Sequence, residues 1–204
     1  MHPMKRISLF NQVRFFAGVY YQDKEFQEAF GKEVKIRKFQ IYLIFFYFCS
    51  SYEVLGYPIL GKFDGKEVIG LINYKTSDQK YNIAISDVLY YLFSLFLYTM
   101  LLNSKIRTRL NRHSKISHET TRTLYTCELL QIGIRKSSQG SGIFKEMLDF
   151  FEDQIKYNES LSSITVTAYS ENKCRMYEYL GFKLFKHTKE SDIDVWVLSK
   201  EVKA

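Results

Sequence analysis

Apolar residues recur at helical spacing from residue 8 to about 54, which predicts a mainly helical opening segment. The period then changes. In "EVLGYPILGKFDGKEVIGLINYK" two β-rich runs flank Asp64-Gly65, a strong hairpin signal. A helix is predicted from Val88 to Leu102, with Ser86 or Asp87 as its N-cap. On it, Leu89, Leu92, Phe93, Phe96 and Met100 share one face, which suits packing on a core. Tyr91, Ser94, Tyr98 and Thr99 fall on the other side, which suits a lined pocket or a partner surface. "LYTCELLQIGI" from Leu124 reads as a long strand. Ile143, Met147, Leu148, Phe151 and Ile155 then mark one helical face, with Glu146, Asp149, Glu152 and Asp153 mostly outward. "SSITVTAY" is a further strand, "NKCRMYEYL" a short helix stopped by Gly181, and "FKLFKHTK" with "DVWVLSK" a closing strand pair. Strand, helix, strand in that order requires a crossover and a locally parallel pair.

Composition narrows the class. The chain has 204 residues, 46% of them hydrophobic and 25% charged, which is globular rather than disordered. Cys49, Cys127 and Cys174 have no metal-type spacing; their odd number argues against a disulfide framework and fits a reducing, cytoplasmic setting. The start "MHPMKR" leads into no signal-peptide pattern. The longest apolar run, Val88–Leu102, is about three residues short of a comfortable bilayer span, and Ile41–Phe48 is shorter still. The stretch 103–123 has six Lys or Arg and one Glu, a local net of +5 out of +7 for the whole chain. Such a run predicts a solvated loop or helix face. Nucleic-acid binding would need interleaved aromatics or a known module, and neither is present. Peripheral membrane contact stays open, because the basic run follows the most apolar segment.

The candidate chemistry lies in "IGIRKSSQGSGIFKEML", Ile132 to Leu148, where a strand enters a Ser- and Gly-rich turn and a helix leaves it. Free N–H groups and the positive end of a helix dipole make such a turn an anion site. A Walker loop needs Gly-Lys-Ser/Thr after its spacing, and the chain lacks it. A dinucleotide fingerprint needs a third Gly where Lys145 stands. What remains resembles the acyl-CoA loop of the GCN5-related N-acetyltransferases, Gln/Arg-x-x-Gly-x-Gly/Ala: Ile134 looks like the strand's last aliphatic position, Gln139, Gly140, Ser141, Gly142 and Ile143 like the loop, and Met147 and Leu148 like the packing pair. Phe144 departs, standing where the family has a small residue. "VTAYSENKCRMYEYLGF" resembles the family's second block, with Tyr177, Gly181 and Phe182 at its spacings and Ser170 or Asn172 near its loop Asn. The resemblance covers 124–200 well and 57–74 weakly.

The resemblance implies an α/β fold with a mixed, mostly antiparallel central sheet flanked by helices, forming one acyl-CoA N-acyltransferase domain over 1–204 with a helical, basic insertion at 75–123. It implies acetyl-CoA as co-substrate, with pyrophosphate on the amides of Gln139, Gly140, Ser141, Gly142, Ile143 and Phe144. The acetyl carbonyl would meet the N–H of Ile132, Gly133 or Ile134, an oxyanion-type donor. Tyr177 resembles the acid that protonates the leaving thiolate, and Glu128 stands where some members place a general base. The implied reaction is direct transfer in a ternary complex to a primary amine. The acceptor is read as a small-molecule amine, with an amino sugar and an anionic body as its candidate forms. A protein amine and a non-catalytic CoA-binding or membrane-associated adaptor are the alternatives. For 75–123 the leading expectation is an acceptor site with the basic stretch at its mouth; homodimer packing and membrane docking are its rivals.

Overall fold

The computed structural model describes residues 7–28, 36–76, 84–121, 127–156, 162–190 and 193–202. Three helices open the chain: α1 (Leu9–Tyr21), α2 (Lys24–Glu28) and α3 (Lys38–Val54). The hairpin β1 (Ile59–Asp64) and β2 (Glu67–Lys75) follows, turning through Gly65 and Lys66. Gly65 has φ +57, the left-handed conformation that the Asp-Gly signal anticipates. Next come α4 (Ile85–Leu101), α5 (Ser104–Thr121), β3 (Cys127–Ile134), α6 (Ile143–Ile155), β4 (Ser163–Ala168), α7 (Glu171–Tyr179), β5 (Lys183–Glu190) and β6 (Ile193–Glu201). The sequence-predicted start of β3 at residues 124–126 lies outside the described residues.

The six strands form one sheet in the order β1-β2-β3-β4-β6-β5. Only β3 and β4 run parallel, joined through α6, so the sheet is mixed and mostly antiparallel as expected. Strand alternation gives the sheet two apolar faces. Leu71 and Ile72, adjacent and both fully buried, serve opposite ones. Ile72 joins Met147, Leu148 and Phe151 of α6 and Tyr177 of α7, whereas Leu71 joins Phe16 of α1 and Ile41, Ile44 and Phe45 of α3. All three cysteines are buried and none is in a disulfide.

Two expectations about the insertion are corrected. Helix α4 starts at Ile85 with Ala84 as its N-cap, and neither Ser86 nor Asp87 caps it. Asp87 lies in the first turn, where its charge suits the helix dipole. The basic stretch is a helix, α5, begun by Asn103, whose Oδ1 accepts from the Lys105 N–H at 2.8 Å. The second correction is the larger. The face of α4 expected in the core points outward: Leu89, Leu92, Phe93, Phe96 and Met100 are all exposed, while Ser94 and Tyr98 are buried. The reason is that α3 presents hydroxyls and rings. Ser50 and Ser94 share a hydrogen bond of 2.5 Å, and Tyr47 stacks on Tyr98 at 4.4 Å and on Tyr91 at 6.0 Å.

Candidate active site

The sheet opens at the centre of the molecule. Strand β3 pairs with β4 only at Cys127, Glu128 and Leu129. Beyond that, β3 continues beside β2 as far as Ile134, while β4 continues beside β6 to Ala168. The cause is a bulge. Tyr74 of β2 pairs with Leu129 and Asn73 with Gln131, so Leu130 is skipped and β3 bends away from its parallel neighbour. The result is a wedge between β3 and β4 with backbone groups of β3 on one wall.

Which groups face the wedge follows from two hydrogen bonds. The Ile132 carbonyl accepts from the Tyr20 hydroxyl at 3.0 Å, and the Ile134 carbonyl accepts from Gln139 Nε2 at 3.0 Å. In a strand the N–H and C=O of one residue point to the same side, so the Ile132 N–H also faces the wedge. Gly133, one position on, alternates towards β2 and is paired there with Leu71.

The strand ends in the Gly-rich turn. Arg135 donates its N–H to Ile69 at 2.9 Å and forms an ion pair with Glu67, which ties the exit of β3 to β2. A short 3-10 turn, Lys136–Ser138, leads to Gln139. Gly140 (φ +79) and Gly142 (φ +82) then take left-handed conformations that side chains with a Cβ rarely adopt. A Cβ on either would meet nothing within 4 Å, so backbone twist rather than crowding selects glycine here. Gly142 is the N-cap of α6 and offers no side-chain cap. The first-turn N–H groups therefore remain for an anion. Lys136 and Lys145 stand on the cleft wall beside the turn. Ser141 is exposed, and its hydroxyl donates to the Ser138 carbonyl at 2.7 Å.

Turn and wedge open into one cleft of about 1120 Å³. Ile132, Gly133, Ile134, Gln139, Gly140, Gly142, Phe144, Ser170, Tyr177 and Glu128 line it; Ser141, Ile143 and Asn172 do not. Ile143 instead packs against the core beneath α6. Phe144 lies against Tyr177, ring centroids 6.0 Å apart, and keeps one side on the cleft. Tyr177 is buried, with Phe182 on its other flank at 5.5 Å. Burial pushes its phenol well above the usual range, so it stays protonated. Glu128 is half-buried near the start of β3, opposite Thr165 on β4. Four residues of strand put it at most about 13 Å from Ile132.

Sequence reasoning missed the groups that α1, α2 and α3 bring. Tyr20 is held by stacking on Phe45 at 4.9 Å and by Phe26 at 4.9 Å, which aims its hydroxyl into the wedge. Glu25 of α2 accepts from Ser170 Oγ at 2.6 Å and from Asn172 Nδ2 at 2.9 Å, and Asp23 pairs with Lys173. The two side chains expected to meet the cofactor therefore hold α2 over the site. Phe48, Tyr52 and Tyr57 complete an aromatic wall. Phe48 and Tyr52, four residues apart on α3, read in the sequence only as a helix face, and nothing in the sequence pairs residue 20 with residue 132. From the insertion, Tyr91, Leu110 and Ser114 reach the cleft, but among the described residues Arg107, Arg109 and Arg112 do not.

No protein-family model and no curated protein sequence matches the chain. Solved structures do. A Corynebacterium glutamicum protein named as histone acetyltransferase HPA2 and related acetyltransferase is 12% identical, with a TM-score of 0.65 over 100% of this chain and 96% of that one. A yellow fever mosquito protein named as arylalkylamine N-acetyltransferase 7 is 12% identical, with a TM-score of 0.63 over 98% and 86%. The acetyltransferase yncA of Salmonella typhimurium, solved with its cofactor acetyl-CoA, is 11% identical, with a TM-score of 0.50 over 97% and 92%. With its splayed β3–β4 pair and the turn into α6, the chain has the fold of the GCN5-related N-acetyltransferases.

Proposed function

We infer that this protein is an acetyl-CoA-dependent N-acetyltransferase acting on a small primary amine. The observation that carries this reading is the continuity of the wedge with the turn: an open strand edge leads directly to free helix N-terminal amides. That arrangement suits a long ligand with an anionic middle and a hydrogen-bonding arm. The pyrophosphate takes the amides from Gln139 to Phe144, with Lys136 and Lys145 nearby, and the pantetheine arm runs along β3. The thioester carbonyl then accepts from the Ile132 N–H, which favours the developing oxyanion.

In the transfer, the amine nitrogen attacks the thioester carbon and a C–N bond forms. The C–S bond breaks, the amine proton passes to water, the thiolate takes a proton from Tyr177, and the tyrosinate is re-protonated from water. Glu128, four residues before Ile132 on β3, draws that proton through water. Acceptor class is read from the wall: Phe48, Tyr52, Tyr57 and Tyr91 favour an amine on an aromatic or apolar body over an amino sugar. The latch of α2 on α7 narrows the cleft and favours a small molecule over a protein chain.

The test is release of free CoA thiol from acetyl-CoA across a panel of arylalkyl amines, alkyl amines, amino sugars and lysine peptides. Turnover is expected to be fastest with the first two. Turnover confined to peptides would move the acceptor to protein amines. Acetyl-CoA binding without turnover on any amine would make the protein a non-catalytic CoA binder.

A further inference from the structure

We propose that the outer face of α4 is an in-plane docking surface for an anionic lipid bilayer. Ile85, Leu89, Leu92, Phe96 and Met100 follow one another at three- and four-residue steps, Phe93 lies four after Leu89 and three before Phe96, and together they form a single stripe. Each is between 53% and 81% exposed. The stripe is about 22 Å long. Phe10 of α1, also exposed, widens it through its edge-to-face contact with Tyr90 at 5.9 Å. A contiguous exposed apolar stripe of this kind marks an interaction surface. The helix is also oriented against the ordinary rule, since its hydroxyl-bearing side is the one packed on α3.

Two observations choose lipid over a second copy of the chain. The first is charge. Helix α5 begins three residues after Leu101 and carries five Lys or Arg against one Glu, and Lys105, Arg112 and Lys115 are exposed. Arg37 and Lys38 are exposed at the start of α3, beside the exposed Phe39. A bilayer bearing anionic headgroups complements both groups, whereas stripe-to-stripe pairing brings together two chains of net +7. The second is geometry. No described helix is long and apolar enough to cross a membrane. One apolar face at the surface, flanked by basic side chains, is the pattern of a helix lying in the headgroup boundary. Tyr91, on the inner side of α4, lines the cleft, so docking sets the cleft about one helix diameter, roughly 10 Å, from the lipid.

The measurement is co-sedimentation of the full chain with vesicles of phosphatidylcholine alone and of phosphatidylcholine mixed with phosphatidylglycerol, together with sedimentation equilibrium without lipid. Binding is expected to the mixed vesicles, weaker to the neutral ones, and weakened by salt. Leu92→Glu with Phe96→Glu should reduce it at least about tenfold with an unchanged circular dichroism spectrum, because both positions are already in water. Lys105→Glu with Arg112→Glu should reduce binding to the mixed vesicles only. The proposal is overturned if the wild type binds neither vesicle at low salt. It is equally overturned if Leu92→Glu with Phe96→Glu dissolves a dimer and leaves vesicle binding unchanged.

Discussion

Tyr177 sits between the rings of Phe144 and Phe182, and those contacts fix where its hydroxyl points. Burial keeps the phenol in its protonated, donor form far above physiological pH, so it adds no alkaline limb to the rate below about pH 10. Tyr177→Phe keeps both ring contacts and removes only the donor. Turnover should fall about 10²-fold or more if protonation of the thiolate limits the rate, while acetyl-CoA affinity holds. Full retention of turnover would make Tyr177 a packing residue. Its position was legible in the sequence because Gly181 and Phe182 follow at fixed spacing just past the end of one short helix. Tyr20 was not, because its meeting with Ile132 spans 112 positions and depends on how α1 lies on the sheet. Glu25 was illegible for the same reason.

Among the elements, α6 is set against β2 by the absence of a side chain at Gly70. A Cβ there would collide with the Met147 sulfur and stand 2.9 Å from Ile134 Cδ1. Gly70→Ala should cost about 1–3 kcal/mol and lower the melting temperature by several degrees. It should also weaken acetyl-CoA binding, since pushing Met147 outward shifts the N-terminus of α6. Unchanged melting and affinity would show that α6 can yield without moving the turn. Helix α6 was readable from its periodicity because its apolar side does face the core. The same reasoning inverted α4: periodicity marks a face, but which face is buried depends on the partner. Here Ser50 and Tyr47 of α3 select Ser94, Tyr91 and Tyr98. No property of α4 alone could have reported that choice.

At the scale of the whole molecule, the sheet is built to part in the middle. A bulge at Leu130 ends the β3–β4 pairing after three residues, and the strand then delivers its open edge to a turn whose two glycines have positive φ. The strand–turn–helix order of this region was plain in the sequence, whereas the wedge needed the register of three strands. The central claim is that wedge and turn together hold acetyl-CoA, and calorimetry with acetyl-CoA tests it most directly. Gly142→Asp is the informative variant. Aspartate tolerates a left-handed conformation better than most residues, its Cβ meets nothing, and its charge suits a helix N-terminus, so the fold should stand. The same charge opposes a pyrophosphate. The account predicts saturable binding at one site per chain for the wild type and at least about tenfold weaker binding for Gly142→Asp. A folded wild-type protein that binds no acetyl-CoA, or a variant that binds it equally well, would contradict it.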